Sequence, residues 1–128
     1  MKVGDIMKMG SDNSIVLSGS TLEQTIFEMC RKPVGGVSVV DKNGKLLGIF
    51  TDGDLRRCLQ KHGGMLSEEI IDNLMMRNPI TLNCNQLIWD AINETISKHS
   101  VSMFPVVDDN EKIVGTLCMI DVVKSGLM

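Results

Sequence analysis

The chain is written twice, and this duplication limits its possible folds more than any other feature. Set over residues 103–121, residues 36–54 are identical at seven of nineteen positions, and four of the others keep a large apolar side chain. The upstream blocks correspond as well. Val3-Gly4-Asp5-Ile6-Met7 mirrors Ile71-Asp72-Asn73-Leu74-Met75, Ile15-Val16-Leu17 mirrors Ile80-Thr81-Leu82, and Leu22 mirrors Leu87. The offset between matching blocks stays near 67 residues and shifts by a few between them, so elements persist while loops differ. The repeats divide the chain into residues 1–64 and 65–128. Half a chain of this size buries too little surface to be stable alone, so the two halves are expected to share a core.

Each repeat reads as β-α-β-β-α, an α/β (α+β) unit. A short strand comes first, at Ile15–Leu17 or Ile80–Leu82. An amphipathic helix follows, with Leu22, Ile26 and Met29 at i, i+4, i+7 in repeat one and Ile88, Ile92 and Ile96 in repeat two. Ser20-x-x-Glu23 has the spacing of a capping box at the first of these helices. Two strand-like runs then flank a tight turn. Val37–Asp41 and Leu46–Thr51 enclose an Asn43-Gly44 pair, a strong hairpin signal. Phe104–Asp108 and Ile113–Cys118 form the second hairpin. A final helix is predicted near Asp52–Gln60 and again near Met119–Leu127. His62-Gly63-Gly64 marks the junction, and Ser67-Glu68-Glu69 reads as the start of a short helix leading into repeat two.

Composition narrows the function classes. The formal charge is −3 and the 13 basic residues are scattered, which argues against a phosphate-backbone footprint and so against nucleic acid. No apolar run reaches the roughly 20 residues that span a bilayer. The first residues lack a signal core, which predicts a cytoplasmic protein without membrane contact. Cys30, Cys58, Cys84 and Cys118 are too far apart in sequence for a zinc site and read as reduced, mostly buried thiols. His62 and His99 stand apart from any nucleophile motif, so no catalytic constellation is predicted.

The segment richest in chemistry is Gly48-Ile49-Phe50-Thr51-Asp52-Gly53-Asp54-Leu55-Arg56-Arg57, where a strand runs directly into a helix. Unpaired N–H groups at the helix start suit an anion. Thr51 could reach a phosphate or sugar oxygen, Asp54 could accept from the hydroxyls of a ribose, and Arg56 or Arg57 could neutralise a phosphate. Thr51 is equally suited to cap the helix, with Asp52 and Asp54 as first-turn acids. Repeat two keeps the glycine and the second acid, Gly115 and Asp121, and puts Cys118 at the threonine position. An acid that persists after the cap is lost points to a role other than capping. Asp52 and Asp54 lack a third ligand at metal-binding spacing.

The duplicated β-α-β-β-α unit with Gly-x-x-Thr-x-x-Asp at residues 48–54 resembles a tandem pair of cystathionine-β-synthase (CBS) domains, a Bateman module. The resemblance implies two repeats about a pseudo-twofold axis, with clefts between them that take adenosine nucleotides or related compounds. The hydroxyl-x-x-acid element of that family falls on Thr51 and Asp54, and only Asp121 matches in repeat two. Across the cleft, Ile80, Thr81, Met103 and Phe104 are expected to line a base pocket. Residues 48–57, together with Asp5-Ile6-Met7 and Asp121-Val122-Val123-Lys124-Ser125-Gly126, are also similar to the C-terminal part of arabinose-5-phosphate isomerases, which join a sugar-isomerase (SIS) domain to a CBS pair. That similarity implies a non-catalytic regulatory fragment whose partner is the SIS domain, in a homodimer or higher homo-oligomer. It requires no cofactor. The ligands it suggests are AMP, ATP or the cytidine product CMP–Kdo, and the alternative is a dimerisation module without a ligand.

Overall fold

The computed structural model describes residues 1–64 and 66–128. The boundary drawn after Gly64 falls on Met65, outside the described residues. Repeat one forms β1 (Ile15–Leu17), α1 (Leu22–Arg31), β2 (Gly36–Val40), β3 (Leu46–Thr51) and α2 (Asp52–His62). Repeat two forms β4 (Met76–Arg77), β5 (Leu82–Asn83), α3 (Ile88–Glu94), β6 (Met103–Val107), β7 (Ile113–Cys118) and α4 (Met119–Lys124). In each sheet the opening strand, β1 or β5, pairs parallel with the second and the second antiparallel with the third, and β4 of repeat two adds to the edge of the first, giving the orders β1-β2-β3-β4 and β5-β6-β7. Both hairpins carry a register shift at the same place, between Val39 and Val40 and between Val106 and Val107. This mixed α/β arrangement is the one the repeats predict.

The two hydrophobic cores are built by exchange. Val3, from the start of repeat one, is fully buried among Leu82, Ile88, Phe104 and Leu117 of repeat two. Ile71 and Met75, from the start of repeat two, pack with Leu22, Val37, Val39 and Phe50 of repeat one. The edge strands follow the same rule. Met76 and Arg77 pair antiparallel with Ile49 and Gly48. Lys8 exchanges two backbone hydrogen bonds with Thr116, at 2.8 and 2.9 Å. This explains the glycine that both repeats retain. A Cβ on Gly48 would lie 2.7 Å from the Met76 carbonyl oxygen, and one on Gly115 would lie 2.7 Å from that of Lys8. Only glycine lets the incoming backbone approach so closely.

The side chains on the other face of each sheet, opposite the two cores, lie between the repeats. There the Thr116 hydroxyl donates to Asn13 Oδ1 at 2.6 Å, fully enclosed. The two hairpins also touch. The Ile113 N–H donates to the Gly44 carbonyl at 2.9 Å, and the Leu46 N–H reaches the Glu111 carbonyl at 3.4 Å. Gly44 takes φ +84° in its turn, the left-handed geometry that the Asn-Gly signal anticipates.

Several details differ from the sequence-based expectation. The capping box of α1 sits one residue later: Thr21 Oγ1 accepts from the Gln24 N–H at 3.1 Å, and Gln24 Oε1 accepts from the Thr21 N–H at 2.9 Å. Leu22 corresponds to Ile88, since both open their helices buried, whereas Leu87 is 53% exposed. The strand expected at Ile80–Leu82 is β5, which begins at Leu82 instead of Ile80. In repeat one the Ser38 N–H donates to the Ser14 carbonyl, but Pro105 holds the position of Ser38 and has no N–H to give. Ser67–Glu69 forms turns and a bend instead of a helix. The stripe of Ile88, Ile92 and Ile96 is buried as expected, although α3 ends at Glu94 and Ile96 lies in a following 3-10 turn. Only one cysteine, Cys118, is buried, and Cys30 is exposed.

Two outcomes follow from the exchange. Ile71→Ala should cost about 2–5 kcal/mol in urea unfolding, the range for a buried large-to-small change. Because Ile71 packs on repeat one, amide exchange in β2 and β3 should accelerate as well. Acceleration confined to residues 66–128 would contradict this packing. Asp72 accepts from the Gly19 N–H at 2.7 Å and from the Ser18 hydroxyl, and these bonds across the repeats lower its carboxyl pKa. A lowered carboxyl contributes stability above its unfolded pKa, near 4, and that contribution is lost as pH falls through the folded value. The acid limb of a thermal stability profile should therefore be shallower in Asp72→Asn.

Candidate functional site

The first cleft opens where β3 runs into α2 with no residue between them. Thr51 stays extended, at φ −99° and ψ 167°, and forms the N-cap. Its hydroxyl accepts from the Asp54 N–H at 3.2 Å, and Asp54 Oδ2 accepts from the Thr51 N–H at 2.9 Å and from its hydroxyl at 3.0 Å. The other carboxylate oxygen, Oδ1, accepts from Arg57 Nη2 at 2.6 Å. The first turn of α2 is less open to an anion than the sequence suggests. The Asp52 N–H is given to the Gly35 carbonyl at 3.0 Å, and the Asp54 N–H to Thr51. The residue types that make a capping box are thus also the ones expected to meet a ligand. Asp54 has both oxygens engaged, so a hydroxyl arriving there must share it with Arg57 or displace the guanidinium.

This cleft has a volume of about 370 Å³ and gathers Thr51, Asp54, Arg56 and Arg57 on one side. The opposite wall comes from repeat two: Ser100, Val101 and Ser102 before β6, and Met76 of the exchanged edge strand. Ile49 supplies the floor with Met76 and Val101 as its apolar neighbours. Of these five residues, only Ile49 falls in a segment that the sequence singles out. Met76 and the Ser100–Ser102 loop reach the cleft only through the exchange and the packing of β6, which no local pattern encodes.

The other predicted site residues lie elsewhere. Met103 and Phe104 are each 1% exposed, and Phe104 belongs to the core of the second unit, so neither presents a surface to a base. Ile80 is exposed, and Thr81 lines a separate cleft with Lys45, Leu46, Pro79 and Glu111. The displaced start of β5 is the reason: Ile80 and Thr81 precede the strand and sit beside the hairpins. Asp52 is exposed and lines two other clefts, one along α2 with Leu55, Leu59 and Gln60 and a second of about 310 Å³.

That second cleft is the pseudo-symmetric partner of the first. Cys118 stands where Thr51 does, paired with Met103 as Thr51 is with Gly36. Pro33, Val34 and Gly35 replace the Ser100–Ser102 loop, and Lys8 replaces Met76. Cys118 makes no side-chain cap to α4, and Asp121 pairs instead with Lys8, Nζ to Oδ2 at 3.3 Å. Burial, with the Asp121 charge adding to it, pushes the Cys118 thiol up to about 11, so it stays S–H at neutral pH. The bond and charge of Asp121 raise the Lys8 pKa and hold its ammonium protonated. Among the described residues, no three His, Cys, Asp or Glu side chains are placed to hold a metal ion. No helix among them is long and apolar enough to cross a membrane.

Comparison with known proteins gives this architecture a context. A CBS domain model matches the chain twice, at residues 3–61 and 69–127. The chain is 37% identical over 128 residues to arabinose 5-phosphate isomerase KdsD of Pseudomonas aeruginosa, covering all of this chain and 39% of that protein. Among solved structures it is similar to the Arabidopsis thaliana protein CBSX2 in complex with AMP, with TM-score 0.79 and 26% identity over 98% of this chain and 96% of that one. It is also similar to the CBS domain pair of protein MJ0100 in complex with 5′-methylthioadenosine and S-adenosyl-L-methionine, with TM-score 0.83 and 25% identity over 100% of this chain and 98% of that one.

The cysteine environments give a direct check of this geometry. At pH 8, Cys30 should react with a disulfide reagent at the rate of a free thiol, while Cys118 should react only as the chain unfolds. Early labelling of Cys118, identified by peptide mapping, would contradict the closed wall of the second cleft.

Proposed function

The chain belongs to the CBS domain family, and from that membership we propose that it is a non-catalytic regulatory module that binds an adenosine nucleotide in the Thr51–Asp54 cleft. The observation that carries this reading is the convergence of an acceptor carboxylate, two guanidinium groups and a three-residue apolar floor in one cleft walled by both repeats. In this reading Asp54 accepts from the ribose hydroxyls as Arg57 lets go of it. Arg57 then joins Arg56 at the phosphate, where a guanidinium binds oxygen through paired, charge-assisted bonds. The base packs against Ile49, Met76 and Val101. The adenosine compounds bound by the two similar structures support this class of ligand.

A ligand held by both walls favours the arrangement in which those walls fit it, and it shifts the module by the difference in its affinity for the two arrangements. The chain spans a little under two fifths of the curated relatives it matches, which are sugar-phosphate isomerases. We place the module in such a protein, acting on a SIS catalytic domain and carrying out no isomerisation itself, in the cytoplasm. Self-association belongs to the same reading. Phe27, Trp89, Leu59, Ile120 and Val123 are each at least 45% exposed, which gives the outer helices apolar side chains for a second copy to cover.

Calorimetry tests the ligand. AMP or ATP should bind, and Asp54→Asn, which keeps the shape and much of the cap, should weaken binding tenfold to a hundredfold, the equivalent of about 1.5–3 kcal/mol for a charge-assisted bond. CMP and CMP–Kdo belong in the same series. Binding of the cytidine compounds alone would replace the adenosine reading with product sensing. Absence of binding by any of the four, with a stable dimer in sedimentation, would leave a purely structural module.

A further inference from the structure

The two hairpin turns are built alike and differ at one reactive position. In repeat one, Asp41 Oδ1 accepts from the Asn43 N–H at 2.8 Å and from the Lys45 N–H at 3.0 Å, and the Asp41 carbonyl accepts from the Gly44 N–H at 3.0 Å. In repeat two, Asp108 holds the N–H groups of Asn110, Lys112 and Glu111 in the same pattern, at 2.8, 3.1 and 3.0 Å. Both asparagines are exposed. The residue after each takes left-handed backbone, Gly44 at φ +84° and Glu111 at φ 63°. The difference is the side chain at that next residue, absent in Gly44 and a carboxylate arm in Glu111. Asn43-Gly44 is the only Asn-Gly pair in the chain.

We propose that Asn43 is a site of spontaneous deamidation, and that its conversion loosens the contact between the repeats. The Gly44 nitrogen loses its proton to solvent base and attacks Asn43 Cγ. A succinimide ring closes as the Cγ–Nδ2 bond breaks, and ammonia leaves. Water then opens the ring at either carbonyl and gives an aspartyl or an isoaspartyl residue. A side chain on the following residue obstructs ring closure, and glycine removes that obstruction. The Gly44 N–H must first leave the Asp41 carbonyl, so the reaction proceeds from local openings of the exposed turn. Asn13, followed by the small Ser14, is protected: it is buried, and its Oδ1 is held by the Thr116 hydroxyl at 2.6 Å. The consequence lies in the Gly44 carbonyl, which accepts from the Ile113 N–H at 2.9 Å and so joins one repeat to the other. An isoaspartyl residue routes the main chain through Cβ and Cγ, lengthens the turn just ahead of Gly44 and moves that carbonyl. An aspartyl residue adds the charge on an unaltered backbone. Neither interrepeat cleft is lined by this turn, so the reaction does not depend on what they bind.

Incubation of the intact chain in mildly alkaline buffer, followed by peptide mapping, tests the site. Asn43 should convert about tenfold faster than Asn110, because only Asn43 precedes a residue without a side chain. Isoaspartate should be the larger product, and Asn43→Gln should stay intact. Amide exchange at Ile113 should rise about tenfold in the isoaspartyl protein, the effect of losing one ordinary hydrogen bond. In Asn43→Asp it should keep its original rate. Equal conversion of Asn43 and Asn110 would overturn the site. So would no conversion of Asn43 under conditions in which a synthetic peptide of residues 41–46 converts. Full protection of Ile113 in the isoaspartyl protein, or equal acceleration in Asn43→Asp, would overturn the backbone route to a looser contact.

Discussion

The structure depends on the exchange of one short segment between the repeats. Val3 and Ile71 are each fully buried, and each is buried in the half of the molecule formed mainly by the other repeat. Without this exchange each core would lack a central aliphatic side chain, β3 would lose its partner strand β4, and β7 would lose its bridge to Lys8. Burying a side chain of that size is worth about 1.5–3 kcal/mol, a sizeable share of the margin available to so small a unit. The repeated glycine, Gly48 and Gly115, is the steric condition for the arrangement, because the exchanged backbone passes within contact of its Cα.

The same exchange builds the clefts. Met76 and Lys8 sit at the ends of the exchanged segments, so each cleft has walls from both repeats by construction of the fold. A ligand in either cleft therefore touches the two halves at once, which is the physical requirement for a small molecule to bias their relative arrangement. Duplication supplied one geometry twice, and divergence at two positions changed its chemistry: Thr51 and Met76 correspond to Cys118 and Lys8, while the acid, Asp54 or Asp121, is kept. In the first cleft the acid is held by its own helix, through the cap and Arg57. In the second it is held by the other repeat, through Lys8.

In the first cleft, capping already engages the atoms that the proposed ligand would use. The Asp54 carboxylate is satisfied by Thr51 and Arg57, so a ligand must offer at least as much to displace the guanidinium. Arg57 is largely exposed, with 63% of its side chain in water, and the ion pair is worth little there. Releasing it costs correspondingly little. The Thr51 contacts are local to the helix start and can persist while Oδ1 changes partner. A capping box is thus compatible with a ligand site as long as one oxygen is tied only to a solvent-exposed partner.

Local chemistry was legible in the sequence wherever a residue acts on near neighbours. The hairpins, the stripe of Ile88, Ile92 and Ile96, the Gly44 turn and the strand-to-helix step at Thr51 all follow from spacing and residue type. So does the capping role of Thr51 and Asp54. The start of β5 was misjudged because its limit is set by Pro105, a residue on the neighbouring strand. The far walls of the clefts were illegible for the same kind of reason. Nothing near Met76, Lys8 or Val101 in sequence says what they face, and Phe104, strongly apolar and next to the cleft in sequence, turns into the core. By itself the sequence determined two copies of one β-α-β-β-α unit and the acid at each helix start. Tertiary structure alone decided which segment completes which core, and so which side chain meets each acid, because that choice rests on contacts between residues about 27 to 113 positions apart.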